Sequence, residues 1–231
     1  MPIIQDEEFG KITVRRSAAA SQIKVRVAPD GTLHASLPRR APVFLLKGLI
    51  KTSRLELRKM LQASKPEYTY TNGMQIGKSH TLIINRYNCE SLSVTRHGQQ
   101  IIVKCPNDIS IDDPSVARPI REAIILSLRV EAKSYLPRRL SFLAEKHGYR
   151  YSKTRFSHSS TRWGSCNSNG TISLNIALMK LPFELIDYVI IHELSHTKFM
   201  NHSAEFWNQV SLADPEYKKH RKLLKQKNPS I

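Results

Sequence analysis

The sequence predicts an α+β protein, with a β-rich half over residues 1–112 followed by a helical half over residues 113–231. Three observations support this division. Apolar and polar residues alternate in the first hundred positions, as in half-buried strands. The later segments repeat apolar residues with helical spacing. One of these later segments carries two histidines four residues apart, which predicts a metal-binding helix in the second half.

Composition indicates a folded chain with a strong affinity for anions. The 231 residues are 40% hydrophobic and 24% charged, which is typical of globular proteins and excludes a largely disordered chain. The net charge is +17, with basic runs in Arg39–Lys59, Arg129–Lys180 and Tyr217–Ile231. Each run alone is consistent with a solvated helix face, but together they predict binding to a nucleic acid, through its phosphates, or to another acidic partner.

Cellular location is predicted from three absences. No apolar stretch approaches the roughly 20 residues that cross a bilayer. Asp6, Glu7 and Glu8 give the N-terminus the wrong charge for a secretory signal. The three cysteines, Cys89, Cys105 and Cys166, form no CxxC pair, which argues against a disulfide framework or a thiolate zinc site. We therefore expect a reduced, cytoplasmic protein with no membrane contact; no feature indicates an oligomeric state.

The first half is expected to contain short strands around one helical segment, with no internal repeat. Strands are predicted over Lys11–Arg16, Gln22–Val27, Thr32–Leu37, Leu82–Asn85 and Gln100–Lys104, with turns at Asp30-Gly31, Asn72-Gly73 and His97-Gly98. Ala41–Leu61 has roughly helical spacing. The two halves are expected to meet between Cys105 and Pro114.

The second half is expected to open with a long amphipathic helix over Val116–His147, ended by Gly148 and kinked or divided at Pro137. Two strands follow, joined by a loop that contains Trp163-Gly164-Ser165-Cys166. The remaining predictions are a helix over Pro182–Met200, a helix capped by Ser203, and a last basic helix that begins at Asp214-Pro215-Glu216.

The most informative segment is His192-Glu193-Leu194-Ser195-His196. Residues four apart on a helix lie on one face, with Cβ atoms about 5–6 Å apart, so two imidazoles can bind one tetrahedral Zn²⁺. Glu193 is rotated by about 100° around the helix and can reach a metal-activated water without binding the ion. The pattern predicts a catalytic metal site with Glu193 as general base; the alternative is an amphipathic helix without a metal.

A catalytic zinc needs a third protein ligand and an open fourth position. His202 is the candidate, although a straight helix would carry it onto the wrong face. We expect the helix to end after Met200 and the chain to turn back at Asn201, because asparagine tolerates the left-handed conformation. The glycine that the long zincin motif has three residues after its second histidine is replaced here by Phe199.

These motifs resemble the YgjP-like metallopeptidase family over about residues 13–225. The segments that carry the resemblance are His192–His196, Asn201–Ser203, Phe206-Trp207, Arg162–Cys166, Gly170, Ile172, Leu174-Asn175 and Asp187–Val189, with weaker matches at Val14–Ser17 and Asp30-Gly31. The family is related to SprT-like and WLM proteases, some of which act on proteins crosslinked to DNA. One departure is Ala18-Ala19-Ala20, where the family tends to be more basic.

The resemblance implies a zincin-like second half that binds zinc through His192, His196 and His202. It also implies hydrolysis of a protein or peptide by a zinc-activated water, with Glu193 as the catalytic glutamate. A second donor is needed to stabilise the oxyanion. Arg162 is the first candidate for that donor, followed by His158 and Tyr188.

Several alternatives stay open at the sequence level. The chain could be a metal-dependent hydrolase of nucleotides or other phosphoanhydrides, although it has no Gly-rich phosphate loop. It could also be a nucleic-acid-binding protein with a structural metal, although such a site needs no adjacent glutamate.

The Arg162–Cys166 segment could lie at the edge of the cleft, or could be structural, with Trp163 and Cys166 buried and Gly164 in a turn. Cys166 is a minor candidate for a metal ligand, and His158 and His220 are expected at the surface.

Overall fold

The computed structural model describes residues 2–28, 32–63, 70–88 and 91–231, with the backbone alone for residues 62 and 63. The predicted turn at Asp30-Gly31 and the thiol of Cys89 lie outside these ranges. The chain forms two compact units, Met1–Tyr68 and Thr69–Ile231. The structure therefore divides the chain well before the predicted boundary at 112/113.

The first unit is a four-stranded sheet followed by two helices. Its elements are β1 (Ile3–Asp6), β2 (Gly10–Ser17), β3 (Lys24–Val27), β4 (Leu33–Pro38), α1 (Val43–Thr52) and α2 (Arg54–Ala63). The strand order is β1-β2-β4-β3, with β2 and β4 parallel and the other pairs antiparallel. The alternating pattern of β2 and β4 buries one face, including Ile12 and Leu37, against Leu46 and Ile50 of α1. The single helical segment that we predicted is two helices, separated at Ser53.

The second unit begins with a sheet of the same topology. Its strands are β5 (Met74–Ile76), β6 (His80–Tyr87), β7 (Ser93–His97) and β8 (Gln100–Pro106). The order is β5-β6-β8-β7, and again the central pair is parallel and the outer pairs are antiparallel. The two four-stranded sheets thus share a strand topology although the sequence shows no internal repeat.

Helix α3 (Pro114–Lys146) organises the second unit. The side chain of Asp113 caps it by accepting from the Ser115 amide at 2.8 Å, and Pro114 occupies a first-turn position that needs no amide donor. Residues four apart then form the buried stripe Val116, Ile120, Ile124, Leu128, Ala132, Leu136 and Leu140. The helix is continuous through Pro137, so the division that we considered there does not occur. Gly148, with φ of +65°, ends it as predicted.

The rest of the unit forms a three-stranded sheet and three helices. The elements are β9 (Lys153–Ser157), β10 (Gly164–Cys166), β11 (Thr171–Asn175), a 3-10 helix (Ile176–Lys180), α4 (Phe183–Ser195), α5 (Ala204–Ala213) and α6 (Tyr217–Lys225). The order β10-β11-β9 leaves β10 at one edge, so the segment predicted as a loop is an edge strand. Because α3 contacts strands of both sheets, β5–β8 belong with the second unit. No helix of the described ranges is long and apolar enough to span a membrane.

Glu131 links α3 to the turn between β5 and β6 by hydrogen bonds. Its buried carboxylate accepts from the amides of Lys78 at 2.7 Å and Ser79 at 3.0 Å, and pairs with His80 Nδ1 at 2.6 Å. Burial opposes ionisation, but these hydrogen bonds outweigh it and hold the pKa of Glu131 below its usual value. The turn approaches so closely that a Cβ on Gly77 would lie 2.2 Å from the carboxylate.

Replacing Glu131 should therefore destabilise the second unit. Glu131→Ala leaves several buried donors without an acceptor, and we expect a loss of about 3–5 kcal/mol in the free energy of unfolding, measured by urea denaturation. Glu122→Ala removes an exposed carboxylate from the same helix and should change the free energy of unfolding by less than about 0.5 kcal/mol. Equal effects of the two variants would contradict the role assigned to Glu131.

Candidate metal centre

Three histidine rings converge at the end of α4. His192 and His196 lie one turn apart on the helix, and His202 comes from the segment that leads to α5. The ring centroids are 4.9 Å apart for His192 and His196, 5.1 Å for His192 and His202, and 4.8 Å for His196 and His202. The structure thus brings together the three residues that the sequence proposed as ligands, in a nearly equilateral triangle.

The chain returns to the site by a route that differs from the predicted one. Helix α4 ends at Ser195, five residues before Met200. The chain then forms turns, in which the amides of Lys198 and Phe199 donate to the Ser195 carbonyl at 3.1 and 3.0 Å. No described residue other than glycine has a positive φ, so the left-handed turn predicted at Asn201 is wrong. Because the helix ends early, the following residues leave its axis, and His202 reaches the other two histidines without a left-handed residue.

The donor atoms fit a tetrahedral metal site. His196 Nδ1 donates to the Phe199 carbonyl at 3.0 Å, which leaves Nε2 of that ring with a free lone pair. The Nε2 atoms of His192 and His202 lie 3.2 Å apart. Two nitrogens that share a tetrahedral Zn²⁺ at about 2.0–2.1 Å are separated by about 3.3 Å. One ligand atom from each ring lies within 4.8 Å of the others, and among the described residues no cysteine or carboxylate joins this group.

The protonation state also suits a metal. Burial, with the neighbouring His196 and His202, lowers the pKa of His192 to about 3. Burial also lowers the pKa of His196. Both rings are therefore neutral at physiological pH and keep the lone pairs that metal binding requires. His192 Nδ1 is buried without a hydrogen-bond partner, so packing and the contact with His202 orient that ring.

Aromatic side chains of α5 surround the cluster. Ser203 caps α5, as predicted, by accepting from the Phe206 amide at 3.4 Å. Phe206 is fully buried and meets the His202 ring edge-on at 4.8 Å. Trp207 stacks on His202 at 5.6 Å with an angle of 22°, and Tyr217 of α6 stacks on Trp207 at 5.6 Å. No described residue outside the cluster hydrogen-bonds the exposed His202 ring, so these aromatic rings position it.

Glu193, next to His192 in the chain, lies against β10 and is not part of the histidine group. The residue is only 6% exposed, and burial raises the pKa of its carboxyl to about 8, against the opposing charge of Arg162. No described group hydrogen-bonds the carboxylate. A Cβ built on Gly164 would lie 2.7 Å from Cγ and from Oε1 of Glu193. Gly164 therefore permits a close approach of strand to helix, and it begins β10 instead of forming the turn that was one of the two alternatives considered.

The three candidate oxyanion donors have different surroundings. The Arg162 side chain is exposed, and its charge acts on Glu193. The Tyr188 ring is buried 6.0 Å from the His192 ring, and burial raises its pKa to about 12, so its hydroxyl remains a donor. His158 interacts instead with Arg121 and Arg129 of α3. The structure thus groups Arg162 and Tyr188 with Glu193, and His158 elsewhere.

Three neighbouring residues differ from their predicted environments. His220 is buried, where we expected a surface residue, because Nδ1 pairs with Asp214 Oδ2 at 2.7 Å. Trp163 and Cys166 are only partly buried, because β10 is an edge strand. Burial and the charge of Glu193 raise the pKa of the Cys166 thiol, which disfavours the thiolate that a metal binds.

Comparisons with known proteins identify one family and one solved structure that resemble this chain. The profile of the family described as YgjP-like, metallopeptidase domain, matches residues 21–227, which confirms the resemblance seen in the sequence. The crystal structure of the metallopeptidase zymogen of Pyrococcus abyssi abylysin is similar at 28% sequence identity and a TM-score of 0.36, over 38% of this chain and 90% of that chain. No curated protein matches the chain.

Loss of the stacked tryptophan should weaken metal binding. Trp207→Leu removes the flat surface that holds His202, and we expect the Zn²⁺ affinity, measured by competition with a chromogenic chelator, to fall about 10–100-fold. Trp207→Phe keeps an aromatic face and should retain most of the affinity. If Trp207→Leu binds Zn²⁺ as tightly as the wild type, stacking does not position His202.

Proposed function

The chain belongs to the YgjP-like metallopeptidase family, a class of hydrolases, and we propose that it cleaves peptide bonds with one Zn²⁺ held by His192, His196 and His202. The observation that carries this proposal is the convergence of three imidazoles beside a buried carboxylate that does not join them. Three imidazoles are typical ligands for zinc, and they leave the fourth tetrahedral position open for chemistry.

Glu193 is the proposed proton carrier. The ion, when bound, supplies Lewis acidity that polarises the peptide carbonyl and acidifies the attacking water. Glu193 accepts the proton of this water and transfers it to the nitrogen of the leaving amine, as the carbon–nitrogen bond breaks and the water oxygen joins the acyl carbon. A carboxyl with a pKa of about 8 and no competing hydrogen bond is suited to both transfers near neutral pH.

Arg162 and Tyr188 are the proposed donors to the oxyanion. Arg162 carries a full charge beside Glu193, and its exposed side chain can adjust to a substrate carbonyl. Tyr188 lies on α4 one turn before His192 and keeps its proton because burial raises its pKa. We assign the main role to Arg162, because a charged donor stabilises an anion more strongly than a neutral one.

The edge strand supports a peptide substrate over a phosphoanhydride. Strand β10 pairs with β11 on one side only, and its first residue, Gly164, lies against Glu193. An extended peptide can add to such an edge through main-chain hydrogen bonds, and a peptide bound there would lie near the proposed catalytic carboxylate. A nucleotide gains nothing from a strand edge.

Glu193→Gln tests the assignment of the general base. We expect this variant to keep stoichiometric zinc but to lose at least about 100-fold in kcat on an unfolded protein substrate. The matched control is Glu184→Gln, which removes an exposed carboxylate from the same helix and should leave kcat unchanged. Zinc content is measured on protein purified without added metal, and hydrolysis of nucleoside triphosphates is assayed in parallel. Full peptidase activity of Glu193→Gln, or faster hydrolysis of nucleotides than of peptides, would contradict the proposal.

Gly164→Ala tests the close approach of β10 to the catalytic carboxylate. The new methyl group must displace Glu193 by several tenths of an ångström or more, since contacts of 2.7 Å are not tolerated. We expect kcat to fall by about 100-fold with zinc affinity unchanged. Gly48→Ala is the control, because a Cβ there meets nothing within 4 Å. A Gly164→Ala enzyme with normal kcat would show that the position of Glu193 is not critical.

We further propose that the chain associates with nucleic acid. The net charge of +17 and the separate basic runs support this partner through phosphate contacts, without sequence-specific reading of bases.

A further inference from the structure

We infer that Arg221 of α6 binds a carboxylate of the peptide substrate beside the metal centre. The inference rests on the proposed peptidase function and adds a substrate class to it. The preferred substrates are peptides that carry a carboxylate near the scissile bond, either on an acidic side chain or at a free C-terminus. Arg221 lies outside the three proposed zinc ligands and the proposed catalytic residues.

The indole of Trp207 holds the guanidinium of Arg221. The Cζ atom of Arg221 lies 4.4 Å from the centroid of the Trp207 ring, which is within the range of a cation–π contact. The same indole stacks on His202 at 5.6 Å. One aromatic ring therefore contacts both a proposed zinc ligand and the arginine, and it places Arg221 beside the metal centre.

The guanidinium of Arg221 has unused donors. Among the described residues, none accepts a hydrogen bond from Arg221, and no carboxylate lies within salt-bridge distance of it. The two acidic residues that precede α6 are paired elsewhere, because Glu216 contacts Lys219. Asp214 accepts from His220 Nδ1 at 2.7 Å. The Arg221 side chain is also exposed, so a substrate can reach it.

The chemistry of a stacked arginine favours a carboxylate as its ligand. A guanidinium that lies over an aromatic face keeps its N–H groups in its own plane, where they remain free to donate. Two of these donors match the two oxygens of a carboxylate, and the resulting bidentate contact is stronger than hydrogen bonds between neutral groups. The stack on Trp207 also reduces the freedom that Arg221 loses when a ligand binds.

The charge of Arg221 reaches the residues around the metal position. Burial raises the pKa of Tyr188 to about 12, and the charge of Arg221 opposes this rise. Burial and the two neighbouring histidines lower the pKa of His192, and Arg221 contributes to the same decrease. Helix α6 contains no acidic residue that could offset this charge. A carboxylate bound here is therefore attracted from within the centre.

A fixed cation at this place distinguishes peptides by their ionised groups. The peptide backbone is neutral, so carboxylates supply the negative charge of an unmodified peptide. A carboxylate close to the scissile bond gains charge-assisted hydrogen bonds from Arg221, whereas a lysine or arginine at the same position is repelled. We therefore expect a preference for acidic sequences on one side of the cleaved bond.

The test measures this preference on matched peptides. Cleavage sites in a reduced, unfolded protein are mapped by mass spectrometry, and quenched fluorescent peptides are made around one cleaved bond. One set has Glu or Gln at each neighbouring position, and a second set has a free or an amidated C-terminus. The wild type should cleave the carboxylate-bearing member of at least one pair with a kcat/KM about 10–100-fold higher than that of its partner.

Variants of Arg221 identify the residue that is responsible. Arg221→Gln should reduce the ratio of the two kcat/KM values to about one, and Arg221→Lys, which keeps the charge but loses the planar fork, should give an intermediate ratio. The matched control is Lys222→Gln, which removes an exposed charge from the next position of α6 and should keep the wild-type ratio. Because each ratio is measured on one preparation, it does not depend on the zinc content or the folded fraction of the variant.

The outcomes separate the inference from the proposed function. If the wild type cleaves no peptide, the peptidase function and the inference both fail. If it cleaves both members of every pair equally, or if Arg221→Gln keeps the preference, the role of Arg221 is wrong and the peptidase function stands. If Lys222→Gln loses the preference as fully as Arg221→Gln, the general charge of α6 attracts the substrate, which contradicts a specific contact with the stacked guanidinium. The set of pairs that shows the preference identifies the carboxylate as that of a side chain or of the C-terminus.

Discussion

The early end of α4 is the constraint on which the rest of the site depends. Because the helix ends at Ser195, the chain returns across the helix end and places His202 Nε2 3.2 Å from His192 Nε2. Apart from this contact with each other, His192 and His202 have no hydrogen bond among the described residues, so the packing of Phe206 and Trp207 takes the place of the usual polar partners of metal ligands. The geometry of the centre thus relies on the hydrophobic contact between α4 and α5.

A second close contact, between β10 and α4, sets the environment of the proposed base Glu193. Only a glycine at position 164 lets the strand lie against Glu193, and this closeness excludes the water that would otherwise keep the carboxyl acidic. The same strand is the free edge of its sheet. One structural feature therefore accompanies both the raised pKa of the proposed base and the strand edge at which we propose that an extended substrate binds. Arg221, held by Trp207, adds a proposed contact for a carboxylate of that substrate.

The candidate ligands could be predicted from the sequence, because the spacing of His192 and His196 depends only on helix geometry. The α+β class followed similarly from local periodicity, and the helix caps at Asp113 and Ser203 are short-range features. Tertiary packing decided the rest. The end of α4, the edge strand at Gly164, the burial of His220 and the continuity of α3 through Pro137 all depend on contacts between distant segments. The shared topology of the two four-stranded sheets also left no periodic signal in the residues.

The most direct test of this account is X-ray absorption spectroscopy at the zinc edge, on protein purified without added metal. The account predicts one zinc ion per chain, with three imidazole nitrogens and one further light atom at about 2.0–2.1 Å, and no sulfur. His202→Ala should remove one imidazole from the spectrum and leave two. A spectrum with fewer than three imidazoles in the wild type, or with a Cys166 sulfur at about 2.3 Å, would contradict it.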